Sequence, residues 1–267
     1  MVKLSGLGLV AFFLFAPAAN SQSTPALSTS SPQAVALASQ AIAALTGTTQ
    51  VNDVTLTGTG TRTVGSDVET GAVSLKALAT GEGRLDLSLS ASARSEIHAL
   101  ANGTPQCSSI GLDGVVHSMA DHNCLTDPIW FFPALSMLSQ ASSPGVVATY
   151  VGQESTQGVS VQHIQFTLQN PNLSTSENTL LGQLSSTDIY LDASSNLPVA
   201  ICFNMHPDDD ALTNIPVKVV FSNYQVVNGV QVPFRIQRFL NGTLFLDLMI
   251  QATTLNSGLT NAAFSTN

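Results

Sequence analysis

Apolar and polar residues alternate along much of this chain, and the alternation is clearest near its C-terminus. Strand-like runs at 217–224, 232–237 and 244–250 are joined by the dipeptides Asn228-Gly229 and Asn241-Gly242. Asn-Gly is the strongest short hairpin signal, because both central residues of a type I′ turn have positive φ. In the last run, four aliphatic residues fall on one face of the strand: Leu244, Leu246, Leu248 and Ile250. The C-terminal part therefore predicts an antiparallel meander with one apolar face.

The same alternation predicts strands through most of the remaining chain. These runs are 54–64, 72–79, 84–91, 95–100, 114–119, 146–151, 159–168, 187–192 and 197–205. In the first run every odd position from 55 to 63 is threonine, which predicts a solvated face, and Gly58 and Gly60 predict a hollow on the other face. The polar stretches 170–182 and 206–214 are interpreted as loops. About eleven or twelve strands in one mature domain predict a mostly β fold.

Two helices interrupt the strands. Ser31 as N-cap, Pro32 at the first helical position and Gly47 at the end delimit an Ala-rich helix. Residues 127–138 hold the only tryptophan, Trp130, among many apolar neighbours and predict a short helix, kinked near Pro133. This apolar cluster has two interpretations, a plug that completes the core or a hydrophobic lid over a cavity.

The N-terminus and the charge indicate where the protein works. Lys3, an apolar stretch to Ala16 and small residues after it predict a secretory signal peptide at 1–21, followed by a flexible leader at 22–31 and one domain at 32–267. The net charge is −9, and loss of Lys3 with the signal makes it −10. A nucleic-acid binder needs an excess of cations, so this class is excluded, as is a basic patch for anionic lipid. We expect a soluble, exported monomer.

An exported chain can form disulfides, and Cys107 with Cys124 would close a loop of modest length. Of the three formal pairings this one is preferred, which leaves Cys202 as a buried thiol in a strand. No nucleophile-elbow, zinc-protease, dinucleotide or phosphate-loop motif is present. The spacing of His117, Asp121, His122 and Cys124 matches no zinc pattern, and Asp208–Asp210 lacks the spaced ligands of a calcium loop. We therefore expect no catalysis, no metal and no cofactor, and we expect His98 and His163 to face water.

Several segments resemble a known superfamily when they are taken in order along the chain. They are 44–47, 54–58, Asp113-Gly114, Phe131-Phe132-Pro133, 150–154, Tyr190-Leu191-Asp192, Leu197-Pro198, 224–234, Leu255-Asn256 and Phe264. This order resembles that of the LolA/LolB-like superfamily of periplasmic lipoprotein carriers and lipid-binding proteins. The resemblance spans most of the mature chain. The chain departs from it in lacking an aromatic residue after Asp113-Gly114 and in carrying the Cys107 and Cys124 pair.

The resemblance implies a strongly curved antiparallel sheet, an incomplete barrel covered by the N-terminal helix and a short central lid helix, with acyl chains held between sheet and helices. The ligand-binding residues expected on this basis are Val54, Leu56, Leu85, Leu87, Leu89, Trp130, Phe131, Phe132, Leu135 and Leu138. The family ties its lid through an arginine on an early strand, and Arg62 and Arg84 are the candidates here. The implied partners are a lipid or the acyl chain of a lipoprotein, and proteins that sort lipoproteins at the inner or outer membrane.

Three functions follow as hypotheses. The first is a non-catalytic periplasmic carrier or sensor of a lipid or acylated protein. The second is a cell-envelope β-domain with a filled core that binds a protein or glycan, which the threonine-rich face and low charge allow. The third and weakest is a hydrolase with an unrecognised site around His117 and Asp121.

Overall fold

The computed structural model describes residues 27–101, 104–133, 137–156 and 158–266. The predicted signal peptide, residues 22–26 of the predicted leader and Leu135 lie outside the described residues. The helices are α1 (Pro32–Thr46), α2 (Asp121–Thr126) and α3 (Thr175–Leu184). The strands are β1 (Asp53–Val64), β2 (Asp67–Leu78), β3 (Gly83–Leu89), β4 (Ala93–Ala101), β5 (Thr104–Ile110), β6 (Val116–Ser118), β7 (Val146–Thr156), β8 (Val159–Leu168), β9 (Thr187–Asp192), β10 (Pro198–Met205), β11 (Ile215–Val227), β12 (Val230–Leu240) and β13 (Thr243–Leu255).

All thirteen described strands belong to one antiparallel sheet with the order β6-β5-β4-β3-β2-β1-β13-β12-β11-β10-β9-β8-β7. This confirms a mostly β fold with an incomplete barrel, with slightly more strands than the sequence predicts. Consecutive strands are neighbours in the sheet at every step except one. β6 and β7 form the two opposite edges, so the chain between them must cross the open side of the sheet.

The two Asn-Gly turns are confirmed. Asn228 and Gly229 have φ of 51° and 85°, and Asn241 and Gly242 have φ of 48° and 75°. These positive values are those of a type I′ hairpin, which asparagine and glycine adopt with little strain. The turns fix the register of the C-terminal meander, in which Leu246 and Leu248 are fully buried and Leu244 is half-buried.

Helix α1 begins and ends where the sequence predicts. The Ser31 hydroxyl accepts a hydrogen bond from the backbone N–H of Ala34, Pro32 starts the helix, and Gly47 ends it with φ of 57°. Its buried face consists mainly of small residues: Ala34, Ala38, Ala41 and Leu45. Small side chains let the helix axis lie close to strands β7 and β12, which it contacts.

The predicted hollow at the β1 glycines is wrong. A Cβ atom on Gly60 would lie 2.7 Å from Val73 Cγ1 and 3.0 Å from Leu248 Cδ2, so neighbouring side chains already fill the space. A Cβ on Gly58 would collide with the backbone of Met249, where β1 and β13 shift register between Thr57 and Gly58. These glycines therefore permit close packing and a β-bulge.

The central helix predicted over 127–138 does not begin where the sequence predicts, and residues 134–136 of it lie outside the described residues. An α-helix instead ends at Thr126, and the described residues from 127 to 133 contain no α-helix. Proline disfavours the helical region for the residue before it, and Asp127, which precedes Pro128, has ψ of 123°. In contrast, the loop predicted at 170–182 contains α3, whose start is a capping box formed by Ser174 and Glu177.

The C-terminal residues pack against the outer face of the sheet. The buried Asp53 carboxylate accepts hydrogen bonds from the backbone N–H groups of Ser257, Gly258 and Leu259. Beyond this anchor, Phe264 packs with Leu78 and Ile97 in a small cluster separate from the main core. The tail is thus tied to the sheet on the side opposite the concave face.

The preferred disulfide is confirmed, because Cys107 of β5 is bonded to Cys124 of α2. It attaches the start of the crossover to the sheet. The sequence predicts that Cys202 is buried, but it is only half-buried in β10. This partial burial raises the pKa of its thiol to about 11. The thiol of Cys202 therefore stays protonated and unreactive at neutral pH.

We predict that loss of the disulfide destabilises the protein. Cys107 and Cys124 are 17 residues apart in sequence. A disulfide that closes a loop of this length contributes about 2–4 kcal/mol to the free energy of unfolding. The double variant Cys107→Ala/Cys124→Ala should lose this amount in the free energy of unfolding, measured by urea denaturation. Cys202→Ala is the control and should lose much less. A double variant as stable as the wild type would contradict the prediction.

Candidate ligand-binding site

The crossover between the sheet edges places an aromatic cluster on the concave face of the sheet. We call residues 127–132 the central segment. Its side chains Trp130, Phe131 and Phe132 are 6%, 3% and 1% exposed and belong to the same buried cluster as the strand leucines. The rings of Trp130 and Phe131 meet edge to face, with centroids 5.6 Å apart. The segment therefore occupies the position of a plug inside the curved sheet.

Side chains hold this segment in place. Among the described residues, the backbone of 128–132 forms no hydrogen bond to a strand. Upstream, helix α2 is attached by the disulfide and by Asn123, whose side-chain amide donates to the carbonyl of His206 and accepts from its N–H. The central segment thus has a fixed start and an aromatic body that rests on apolar contacts.

A buried arginine lies directly beneath the tryptophan. Arg238 of β12 is 4% exposed, and its guanidinium carbon lies 5.3 Å from the centroid of the Trp130 ring. Its Nη1 donates to both carboxylate oxygens of Glu96 on β4, at 3.2 and 3.1 Å, and its Nη2 donates to the sulfur of Met205. Four strands separate β4 from β12 in the sheet order, so this pair bridges the concave face.

Asp127, at the start of the central segment, is an unusual carboxyl group. Its Oδ1 is buried without a hydrogen-bond partner among the described residues. Burial, together with the negative charge of Glu96, raises the pKa of Asp127 to about 7, although Arg238 opposes the shift. The group therefore titrates near neutral pH.

Two histidines border the same region. Burial lowers the pKa of His98, so its imidazole is neutral at pH 7. The sequence predicts that His98 faces water, but it is half-buried beside Asp127 on the concave face. The Nδ1 of His206 donates to the carbonyl of Thr213, while its Nε2 is buried without a partner among the described residues. The prediction for His163 is also wrong, because this residue is buried on the outer face and bonds to Glu154 and Asp188.

The packed interior leaves several small cavities in a row. One of about 230 Å³ lies between Arg62, Arg94 and the leucines of β3, and one of about 210 Å³ lies beside Trp130 and Arg238. Glu96 and Ser109 line both of these cavities. A third of about 260 Å³ shares His98, Asp127 and Pro128 with the second. Each is smaller than the roughly 300–1,000 Å³ typical of small-molecule sites.

Larger clefts of about 540 and 790 Å³ lie around α3, beside β8. Threonine, serine, glutamine and asparagine side chains make up much of their walls, and α3 has no buried residue. Both clefts are open, and the larger one also has aliphatic walls from Leu27, Val147, Leu168 and Leu173. None of the expected ligand-binding residues that the structure describes lines either cleft.

The structure brings most of the expected ligand-binding residues together. Those in the main core cluster are Val54, Leu56, Leu85, Leu87, Leu89, Trp130, Phe131, Phe132 and Leu138. In the structure they pack against one another. Whether they contact a ligand stays a prediction.

The two arginines proposed as lid tethers contact other parts of the protein. Arg62 lies 3.5 Å from Glu69 and over the ring of Phe245, and Arg84 binds Asp86 and the carbonyl of Ser265. The arginine in contact with the central segment is Arg238, which sequence reasoning missed. The signal for it was present, because Arg238 is the one charge on the face of β12 that carries Val232 and Ile236.

The described residues contain no group of three or more His, Cys, Asp or Glu side chains placed to hold a metal ion. His117 pairs with Asp113, and Asp210 bonds within its own loop to Leu212 and Thr213. Within the described part of the chain, no helix is long and apolar enough to cross a membrane.

The pKa of Asp127 predicts how stability changes with pH. This pKa is about 7 in the folded protein and near its ordinary 3.8 in an unfolded chain, so the folded state holds the proton more tightly. The stabilising contribution is complete below about pH 4 and is lost as the pH rises through 7. Asp127→Asn cannot ionise and should remove this loss. From pH 5 to pH 8, the free energy of unfolding of the variant should gain up to about 3 kcal/mol relative to wild type. Parallel curves would contradict the prediction.

Neither a protein-family model nor the sequence of a curated protein matches the chain. Solved structures do match its fold. A domain from Vibrio parahaemolyticus, named for outer membrane lipoprotein sorting, aligns with 86% of this chain and 95% of its own at a TM-score of 0.53 and 13% identity. A DUF1329 family protein from Desulfovibrio piger aligns with 89% of this chain and 98% of its own, at a TM-score of 0.56 and 10% identity.

A LolA superfamily protein from Nitrosomonas europaea aligns with 87% of this chain and 97% of its own, at a TM-score of 0.51 and 9% identity. At these identities the likeness concerns the fold. The chain therefore has a LolA-like fold, in which a curved antiparallel sheet is covered on its concave side.

Proposed function

We propose that this protein is an exported, non-catalytic binding protein for an apolar ligand, a lipid or the acyl chain of a lipoprotein, and acts as a periplasmic carrier or sensor. The proposal rests on how the central segment is held. This segment fills the concave face with aromatic side chains but forms no strand with the sheet among the described residues. An apolar chain that displaced these rings would contact the strand leucines of the same buried cluster.

A buried acyl chain would offset much of the cost of such an exchange. Each buried methylene gains roughly 0.8 kcal/mol, so a chain of about twelve methylenes gains roughly 10 kcal/mol before the cost of displacing the rings. The displaced segment loses apolar contacts but breaks no backbone ladder. We propose that the acyl chain lies against Leu85, Leu87 and Leu89 of β3 and Val54 and Leu56 of β1. We also propose that Leu135 and Leu138 move away from the concave face together with the central segment.

The fold supports the proposal at a general level. One of the similar structures is named for lipoprotein sorting, and another is named as a LolA superfamily protein. The signal peptide at 1–21, the periplasmic location, the single domain at 32–267 and partners that load or unload the ligand are parts of the same proposal.

One observation favours the second candidate, a cell-envelope β-domain that binds a protein or glycan with its core filled. The expected ligand-binding residues in the core cluster are buried against one another, and the interior cavities are each smaller than a typical ligand site. The two functions differ in whether the central segment leaves the concave face.

The proposal predicts that the purified mature protein binds acyl chains. Native mass spectrometry of protein prepared without detergent should show a bound lipid, and a delipidated sample should bind a fluorescent twelve-carbon fatty acid that unlabelled dodecanoic acid displaces. Absence of both a co-purified lipid and probe binding would sink the carrier function and favour the filled β-domain.

A matched pair of variants tests the displacement directly. Phe132 and Phe264 are each 1% exposed, but Phe132 fills the concave face and Phe264 packs on the outer face. Replacement by alanine should destabilise each variant by roughly 3–5 kcal/mol. Because a smaller plug is easier to displace, Phe132→Ala should bind the fatty acid more tightly, whereas Phe264→Ala should bind it like wild type. Equal affinities in both folded variants would contradict a displaceable plug.

A further inference from the structure

Two arginines meet at one end of the concave face. Arg62 of β1 and Arg94 of β4 share one counter-charge, Glu69 of β2. Nη2 of Arg94 donates to Oε1 of Glu69 at 2.9 Å, whereas Nη1 of Arg62 lies 3.5 Å from Oε2. The hydrogen bond from Arg94 lowers the pKa of Glu69, so this carboxylate stays ionised. Glu96, the other carboxylate near this position, is paired with Arg238, so two cations share one anion and leave a positive charge here.

The two guanidinium groups border an apolar cavity. Both line the 230 Å³ cavity, whose other walls include Leu85, Leu87 and Leu246. Among the described residues, Arg62 contacts Glu69 and the ring of Phe245, with its carbon 5.0 Å from the ring centroid, so donors of its guanidinium remain free. The side chains of Arg62 and Arg94 are 21% and 14% exposed, which makes them accessible from the end of the sheet but largely desolvated.

The cavity adjoins a second cavity beside the central segment. It shares Glu96 and Ser109 with the cavity beside Trp130 and Arg238. A chain that enters between the arginines would therefore pass along the leucines of β3 and reach the aromatic plug. The concave face thus offers a polar, positive entrance followed by an apolar track.

The sign of this charge is unusual for the molecule. The chain has 8 Lys and Arg against 17 Asp and Glu, and its net charge is −9. Nevertheless, Arg62 and Arg94 line the 230 Å³ cavity with Glu69 as their shared counter-charge, and Glu96, which also lines it, pairs with Arg238. Two further carboxyl groups, Asp127 and Asp208, lie at the neighbouring cavity beside Trp130. The excess of positive charge is therefore confined to the end of the concave face. An excess of arginine beside a leucine-lined cavity suits an anionic group, because guanidinium binds carboxylate and phosphate through paired hydrogen bonds.

We propose that the ligand is an anionic amphiphile, whose carboxylate or phosphate binds Arg62 and Arg94 while its acyl chain runs along Leu85 and Leu87 toward Trp130. This inference rests on the proposed function and adds the chemistry of the headgroup. The ligand enters with its chain first, and the arginines hold its head at the end of the sheet.

Ligands that share a twelve-carbon chain and differ in the head test the proposal. Delipidated mature protein is titrated at pH 8 with dodecanoate, dodecyl phosphate and dodecanol, each in competition with a fluorescent acyl probe. At least one anion should bind about tenfold or more tightly than dodecanol, as expected for one or two charge-assisted hydrogen bonds. The stronger of the two anions identifies a carboxylate or a phosphate as the natural head.

Variants assign the preference to the arginines. Arg62→Gln and Arg94→Gln should each weaken binding of the anion about tenfold and leave dodecanol unchanged, whereas Arg62→Lys should keep part of the preference. Glu69→Gln removes the competing carboxylate and should strengthen binding of the anion. Arg235→Gln is the matched control, because Arg235 pairs with Asp247 away from the cavity and is 43% exposed. Thermal unfolding of every variant verifies that it is folded.

The outcomes separate the two proposals. If wild type binds dodecanol as tightly as both anions, or if Glu69→Gln does not strengthen anion binding, the headgroup inference is overturned and the acyl-binding function stands. If Arg235→Gln loses as much anion affinity as Arg62→Gln, the effect is one of overall charge and the site is overturned. If none of the three ligands competes with the probe, the acyl-binding function itself fails.

Discussion

The structure depends on a topological constraint, because the chain must pass once from one edge of the sheet to the other. β6 and β7 are consecutive in sequence and lie at opposite edges, whereas the other consecutive strands of the described chain are neighbours. In a sheet this strongly curved, the crossover lies over the concave face. Sequence then decides what covers that face, and here it is Trp130, Phe131 and Phe132. The cover is thus a consequence of strand order, and its chemistry is a consequence of a few residues.

Electrostatics adds a second constraint to this apolar cover. A buried guanidinium must be paired, because an unpaired buried charge costs several kcal/mol. Arg238 finds Glu96 across the concave face and places its cation under the Trp130 ring. Asp127, the first residue of the segment, has a pKa of about 7, so the net charge at the start of the segment changes with pH near neutrality. Regions with few backbone hydrogen bonds open more readily than the sheet that carries them. The central segment is therefore both well packed and locally weak.

Sequence predicts what local rules control. Short-range patterns predict the Asn-Gly hairpins, the capped helix α1 and the leucine faces of β3 and β13. The disulfide is predicted because an exported chain can form one. The wrong start of the predicted central helix had a readable warning in Asp127-Pro128, and α3 had one in the capping box of Ser174 and Glu177. The Arg238–Glu96 pair, 142 residues apart, could not be read from sequence, because curvature alone brings β4 and β12 together. The approach of Arg62 to Arg94 could not be read from sequence either, because β2 and β3 lie between their strands.

A bound chain takes the place of the aromatic plug in the proposed function, and Trp130, the only tryptophan of the chain, reports on this exchange. The most direct measurement is acrylamide quenching of tryptophan fluorescence in delipidated protein, with and without saturating dodecanoic acid. We expect a shielded tryptophan in the free protein, and emission at longer wavelength with stronger quenching once the chain is bound. Saturation by the fatty acid with an unchanged, shielded Trp130 would contradict it.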